Sequence, residues 1–286
     1  MTTEVLLVVA ESDPVAARVV GRWGTPAATG AFVDGTPVRA LRPRISMLRR
    51  PGPHVHDERL DARLPPDLLA DRPTLVFPSI HRSEKGVPSL TVHPLGNPGP
   101  TAEVGGRPRT LDPTDPARMA DALRRLQEGA GRVGLPVTFE ATHHGPELAL
   151  PAFFVEIGYG ESESPPAAAV RLLADVLPAL EPAPGDRIAL GVGGGHYAPH
   201  FTELTTKRRW AFGHLLSRHA LAELDAATAR SAWDRTPGAD GILYARAEDA
   251  SHPALQGLAR RLRDGEAPLR DARGAPTAAS RPASGT

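Results

Sequence analysis

An α/β fold, with helices covering both faces of a mostly parallel or mixed sheet, is what the order of segments in this 286-residue chain predicts. Short aliphatic runs alternate with amphipathic stretches along most of its length. The first aliphatic run passes directly into a capped helix. The 31 prolines and 28 glycines demand many turns and argue against a helical bundle.

Glu4–Ala10 is aliphatic enough for a buried strand, and Asp13 then caps a helix that starts at Pro14, whose fixed φ suits a first helical position. Thr74–His81 and Leu90–His93 read as further strands. Pro116–Ala130 spaces Met119, Leu123 and Leu126 at helical intervals with charges between them. Pro136–Ala141 and Phe153–Ile157 are strands flanking a histidine-bearing loop. Ala167–Leu180 is a helix, and Arg187–Val192 a strand that runs into Gly193–Gly195. Helices are expected at Ala211–Ala220 and Leu224–Trp233, a strand at Gly241–Ala245 and a helix at Pro253–Arg263. One domain is expected over residues 1–264. Residues 265–286, rich in Ala, Pro, Gly, Ser and Arg without periodicity, read as a disordered tail.

Composition narrows the chemistry. Without cysteine there is no disulfide framework, thiolate zinc site or cysteine nucleophile, and a reducing cytoplasm is compatible with that. The apolar run near the start is bounded by Glu4, Glu11 and Asp13 and lacks a basic leader, so it does not read as a signal peptide. No stretch approaches the roughly 18 apolar residues of a membrane span, so a soluble cytoplasmic protein is expected. Formal net charge is +0, and basic excess is local: Arg39, Arg42, Arg44, Arg49 and Arg50 in one window, Lys207, Arg208 and Arg209 in another. Such clusters are either solvated faces or contacts to phosphates.

Seven of the 11 histidines lie in compact blocks that mostly follow strands. Loops at strand ends of an α/β sheet converge on one crevice, so these histidines are candidates for one site. In Phe77-Pro-Ser-Ile-His81-Arg-Ser83, Ser79 and Ser83 bracket His81 on one strand face, as a hydrogen-bonded relay or phosphate-binding group would. His93 follows in the next strand. In Thr142-His143-His144-Gly-Pro, adjacent histidines can serve one metal only in irregular backbone, which Gly145–Pro146 favours. With Glu156 they form either a zinc set or a general base and its support. Gly193–Gly195 lead into His196, Tyr197 and His200; a bare backbone there could present N–H groups to an oxyanion. Pro199 between His196 and His200 argues against the helical spacing of a zinc protease, and no Gly-x-Ser-x-Gly elbow is present.

Together these blocks resemble the archaeal and plant type of D-aminoacyl-tRNA deacylase. The resemblance is carried by Asp13–Pro14, FPSIHRSEKGVPSLTVHPLGN (Phe77–Asn97), THHGPELALPAFFVEIG (Thr142–Gly158) and GVGGGHYAPHFTE (Gly191–Glu203), with Gly213–His214 where the family has a Gly-His pair before a helix. One departure is His200, where the family commonly has arginine. The resemblance spans roughly residues 1–250. It implies a three-layer α/β/α fold of the phosphorylase and peptidyl-tRNA hydrolase type, zinc dependence, and hydrolysis of the ester of D-aminoacyl-tRNA. On that reading His144, His196 and Glu156 are the catalytic candidates, and His143, His144, Glu156 and His196 the metal candidates. Ser79, His81, Ser83, His93, Gly193, Gly194, Gly195 and Tyr197 are substrate-binding candidates. Arg39, Arg42, Arg44, Lys207, Arg208 and Arg209 are candidates for tRNA phosphates. The expected partner is the acceptor end of D-aminoacyl-tRNA, without membrane or DNA, for a monomer or small homo-oligomer. Another tRNA- or peptide-directed metallohydrolase and a non-catalytic tRNA-binding module are the competing readings.

Overall fold

The computed structural model describes residues 2–82, 86–160, 163–262 and 269–271. In chain order its elements are β1 (Val5–Ala10), α1 (Pro14–Val20), β2 (Ala27–Val33), β3 (Thr36–Arg42), β4 (Ile45–Arg50), α2 (Pro66–Ala70), β5 (Thr74–His81), β6 (Ser89–Pro94), β7 (Gly96–Asn97) and β8 (Thr110–Leu111). There follow α3 (Pro116–Val133), β9 (Val137–Phe139), β10 (Ala152–Gly158), α4 (Ala167–Val176), β11 (Arg187–Val192), α5 (Pro199–Arg208), β12 (Trp210–Leu216), α6 (Arg218–Ala222), α7 (Ala226–Asp234), β13 (Ala239–Tyr244), α8 (Pro253–Arg261) and β14 (Leu269–Asp271).

An eight-stranded mixed sheet runs β2-β3-β4-β1-β5-β10-β6-β9, and a four-stranded parallel sheet runs β12-β11-β13-β14. The alternation of side chains sorts β1 between two cores. Val5, Leu7 and Val9 pack with Val15, Val19, Met119, Leu123 and Leu173 from the helices, whereas Leu6 and Val8 pack with Leu60, Leu64 and Leu68 on the other face. Burial on both faces explains why β1 is uninterruptedly aliphatic. The smaller sheet packs Leu190, Val192, Leu216 and Ile242 against Leu221, Ala229, Leu255 and Leu258 of α6 to α8.

Parallel pairing of β1, β5 and β10 brings their C-terminal ends to one edge. The register sets Phe77, Ser79 and His81 beside Phe154, Glu156 and Gly158, with His93 opposite Phe154. A side chain on Gly158 would lie 3.3 Å from the His81 ring and 2.7 Å from Ser89 Oγ, so the glycine leaves room for that imidazole. Beyond β9, Ala141 and Thr142 donate to His196 and Leu215 carbonyls and tie the two sheets together beside this edge.

Two expectations need correction, beside a second sheet and an edge ribbon that the sequence did not reveal. The sheet is not single. Ala211–Ala220 is no helix: Trp210–Leu216 is a wholly buried strand, since an apolar run with a central glycine suits a covered parallel sheet better than a helix. The basic window near residue 40 belongs to the β2–β4 antiparallel ribbon at the sheet edge. Within the expected tail, Leu269–Asp271 pair parallel to β13; residues 263–268 and 272–286 lie outside the described residues.

Candidate active site

At the shared edge lies a cavity of about 630 Å³, lined among others by Ser79, His81, His143, His144, Glu156 and His196. Blocks more than 100 residues apart in the chain therefore meet. His93 stands behind this lining, wholly buried, its ring parallel to Phe154 at 5.1 Å and 4.0 Å from that of His143. It is not a substrate contact.

The imidazoles divide by their hydrogen bonds. His93 Nδ1 lies 3.2 Å from Pro94 O, His143 Nδ1 2.8 Å from Ala141 O and His144 Nδ1 2.7 Å from Gly145 O. A carbonyl only accepts, so each Nδ1 carries a proton, and a ring that is neutral then keeps a lone pair at Nε2. At His93 burial lowers the pKa, but Glu156 and Glu140 outweigh it and raise it. One nitrogen from each ring falls within 4.8 Å of the others, and His93 Nε2 is buried without a hydrogen-bond partner. Histidine 144 has φ 42°, a left-handed conformation that lets adjacent histidines face one centre. Burial, then repulsion from neighbouring imidazoles, holds His143 well below its ordinary pKa and brings His144 to about 4. Both rings are neutral donors at pH 7, the form in which imidazole ligates a metal. Soft enough for zinc and oriented by backbone acceptors, the three fit that ion.

A second group centres on Glu140, a fully buried carboxylate that the sequence reading overlooked. His81 Nδ1 lies 3.1 Å from its Oε1; His196 Nε2 and His143 Nε2 lie 3.3 Å and 3.6 Å from Oε2. Neither oxygen receives a hydrogen bond of good geometry. His81 Nδ1 is also 3.3 Å from Glu156 Oε2, and its Nε2 is 3.1 Å from the Tyr197 hydroxyl. Burial alone would lower the pKa of His81, but the bond to Glu156 and the charges of Glu140 and Glu156 outweigh it and raise it. Burial opposes ionisation of Glu156, yet the His81 bond and the neighbouring imidazoles of His93 and His144 bring its pKa to about 2. Glu156 thus supports His81 and His93, not His144 as expected.

Other expected contacts are spent elsewhere. Ser79 Oγ donates to Asp13 Oδ2 at 2.7 Å, and Asp13 Oδ1 caps α1, so this hydroxyl orients a turn. Ser83 lies outside the described residues. Gly193 N–H donates to Leu216 O, and its positive φ of 94° makes room for Asp249, whose Oδ2 would lie 2.0 Å from an added Cβ. Gly193–Gly195 do not line the cavity and form no oxyanion hole here. Helix α5 starts at Pro199, so His196 precedes it, as the proline implied. None of the six basic candidates lines the cavity. Arg39 donates to Pro26 O, Arg44 pairs with Glu4, Lys207 with Glu203, and Arg209 with Asp186. Arg42 lines a separate recess with Trp23, and Arg208 ends α5, about 15 Å along the axis from Pro199.

Buried bonds clamp the His143–His144 loop from both sides. His214 Nε2 donates to the Asp112 carbonyl (2.9 Å) and its Nδ1 accepts from Thr142 Oγ1 (3.1 Å), while Asp112 Oδ2 accepts from Leu148 N (3.0 Å). Burial lowers the pKa of His214 to about 3, so it is a neutral strut. Burial, offset in part by the Leu148 N–H, raises that of Asp112 to about 8. Because the folded value exceeds the ordinary 3.8, the contribution of Asp112 is full below 3.8 and is lost as pH rises through about 8. Asp112→Asn keeps an acceptor that cannot ionise. Its melting temperature is expected to match the wild type near pH 4 and to exceed it by roughly 2–4 °C or more at pH 8; thermal scans showing a pH-independent difference would contradict this.

The D-aminoacyl-tRNA deacylase family model matches residues 70–261. The D-aminoacyl-tRNA deacylase of Thermoplasma acidophilum is 41% identical over 173 residues, 60% of this chain and 67% of that protein. That of Methanosarcina mazei is 38% identical over 200 residues, 68% of this chain and 65% of its own. The matched segments thus span about two thirds of these relatives. The crystal structure of a conserved protein of unknown function superposes with a TM-score of 0.80 at 26% identity, covering 95% of this chain and 96% of that one. The matched residues include the cavity's histidines from His81 to His196: this chain belongs to the D-aminoacyl-tRNA deacylase family.

Proposed function

We propose that this protein hydrolyses the ester of D-aminoacyl-tRNA, releasing free D-amino acid and tRNA. The observation that carries the reading is the convergence of His81, His143, His144 and His196, with Glu140 and Glu156 behind them, on one cavity of about 630 Å³. That volume lies in the range of small-molecule sites, ample for an aminoacylated terminal nucleoside.

Zinc is the proposed cofactor, held by Nε2 of His93, His143 and His144. Bound there, it would supply a Lewis acid for the ester carbonyl and for water. His196 is the proposed proton carrier. Its side chain is 46% exposed on the cavity, and its Nε2 faces the buried Glu140. An imidazole backed by a carboxylate can take a proton at its other nitrogen while the carboxylate stabilises the cation. His81, bound at both nitrogens, has no atom left for substrate. Its role is a fixed positive charge between two buried carboxylates. An aminoacyl ester is already activated, so water delivery and charge stabilisation suffice without a covalent nucleophile. Chirality is set by exclusion, a wall near Cα that admits the D arrangement and leaves the side chain loosely read. A cytoplasmic place of action fits this role; among the described residues no helix is long and apolar enough to cross a membrane.

Deacylation of D- and L-tyrosyl-tRNA, with and without chelator, tests the reading. The D ester is expected to be cleaved and the L ester spared. Chelation is expected to remove activity and added zinc to restore it. Salt-dependent tRNA binding with the D ester left intact would favour a non-catalytic module instead.

A further inference from the structure

A smaller recess of about 220 Å³ adjoins the cavity. The two share Ile80, His81 and Arg82, and the recess adds Arg18, Tyr159 and Glu163. Its donors converge from three elements: Arg18 from α1, Arg82 from the end of β5, Tyr159 from the residue after β10. Tyr159 is only 6% exposed, yet its hydroxyl has no hydrogen-bond partner among the described residues. The ring is buried while the hydroxyl is open to the recess, where a ligand can reach it. Arg82 forms no ion pair among the described residues, and Arg18 gives one long bond, 3.3 Å, to Ser164 Oγ. Burial and the charge of Asp13 raise the pKa of Tyr159, and the guanidiniums of Arg82 and Arg18 oppose them, so both cations lie close enough to act on its hydroxyl. Two cations and an open hydroxyl, against the carboxylates of Glu163 and Asp13 among the described residues, make a receptor for an oxyanion.

We infer that this recess is the subsite for the phosphodiester group on the 5′ side of the terminal adenosine, gripped by Arg18, Arg82 and the Tyr159 hydroxyl. The inference rests on the deacylase reading, in which the ester lies at the histidine cluster and the nucleoside fills the cavity. Its 5′-phosphate then emerges one sugar away, where the recess opens beside His81. The basic clusters at Arg39–Arg44 and Lys207–Arg209 are remote from the cavity or already paired, which leaves Arg18 and Arg82 as the arginines at its mouth on this side.

Two small esters test this, 3′-O-D-tyrosyl-adenosine and the same compound carrying a 5′-methyl phosphate, which differ only in the phosphodiester. The wild type is expected to show a KM about tenfold lower for the phosphate-bearing ester. Tyr159→Phe and Arg18→Ala are each expected to lose several-fold of that preference, and Arg18→Ala with Arg82→Ala nearly all of it. In Tyr159→Phe and Arg18→Ala, whose residues line only the recess, kcat/KM for the phosphate-free ester stays at the wild-type value. A wild type that does not distinguish the esters overturns the subsite, and so do variants that lose equally on both. If the wild type cleaves neither ester and spares D-tyrosyl-tRNA too, the deacylase reading fails first and the subsite falls with it.

Discussion

His143→Ala is expected to reduce deacylation of D-tyrosyl-tRNA by on the order of 10³-fold while leaving the fold intact. The ring is anchored by one bond, from Nδ1 to Ala141 O, and stands partly exposed on the cavity, so its removal opens no core. What is lost is chemical. A neutral nitrogen kept unprotonated by burial and by its histidine neighbours disappears from a three-nitrogen cluster. Zinc affinity is therefore expected to fall together with the rate, measured by metal content after dialysis and by single-turnover deacylation. His200→Ala is the control. That residue is exposed on α5 and absent from the cavity lining, and its loss is expected to change neither. Wild-type rate and zinc content in the His143 variant would remove the metal assignment.

The sequence showed the site in outline because its chemistry is clustered. Histidines in Pro- and Gly-rich loops after strands are conspicuous, and the parallel pairing of β1, β5 and β10 brings those loops together as strand-end logic requires. The residues that were misassigned depend on partners far along the chain. Gly193–Gly195 resembled an anion cradle, but the space beside Gly193 belongs to Asp249, 56 positions away by numbering. Ser79 resembled a substrate contact, but Asp13, in the turn between β1 and α1, takes its hydroxyl. Glu140 was overlooked as one acid at the end of a strand. Its signal was position: an acid directly after β9 and three residues before a histidine pair lies at the same strand end as they do. Trp210–Leu216 defeated periodicity altogether, because a strand covered on both faces has none to show. The arginine window misled because a cluster in the sequence does not show which acids answer it: Arg50 is held by Asp34 and Asp57, and Arg44 by Glu4.

Glu140→Gln is the substitution that separates the proton machinery from the metal ligands. The amide keeps the volume of the carboxylate and removes its charge from a site with no access to water. His196 then lacks the group that stabilises it once it has accepted a proton. The turnover number is expected to fall by about 10²- to 10³-fold, with KM little changed because Glu140 touches no substrate. A second, independent readout is His81. Burial lowers its pKa, and the Glu156 bond together with the charges of Glu140 and Glu156 raises it above 6.5. Its proton is therefore held to higher pH than in a free imidazole. Without Glu140 one of the opposing charges is gone, so the His81 resonance in an NMR titration is expected to move its midpoint toward lower pH. Were the midpoint unmoved while turnover collapsed, Glu140 would act on His196 alone, and the fixed-charge role given to His81 would have to be abandoned. Were both unmoved, the carboxylate would be a buried bystander and the base would have to be sought among the other imidazoles.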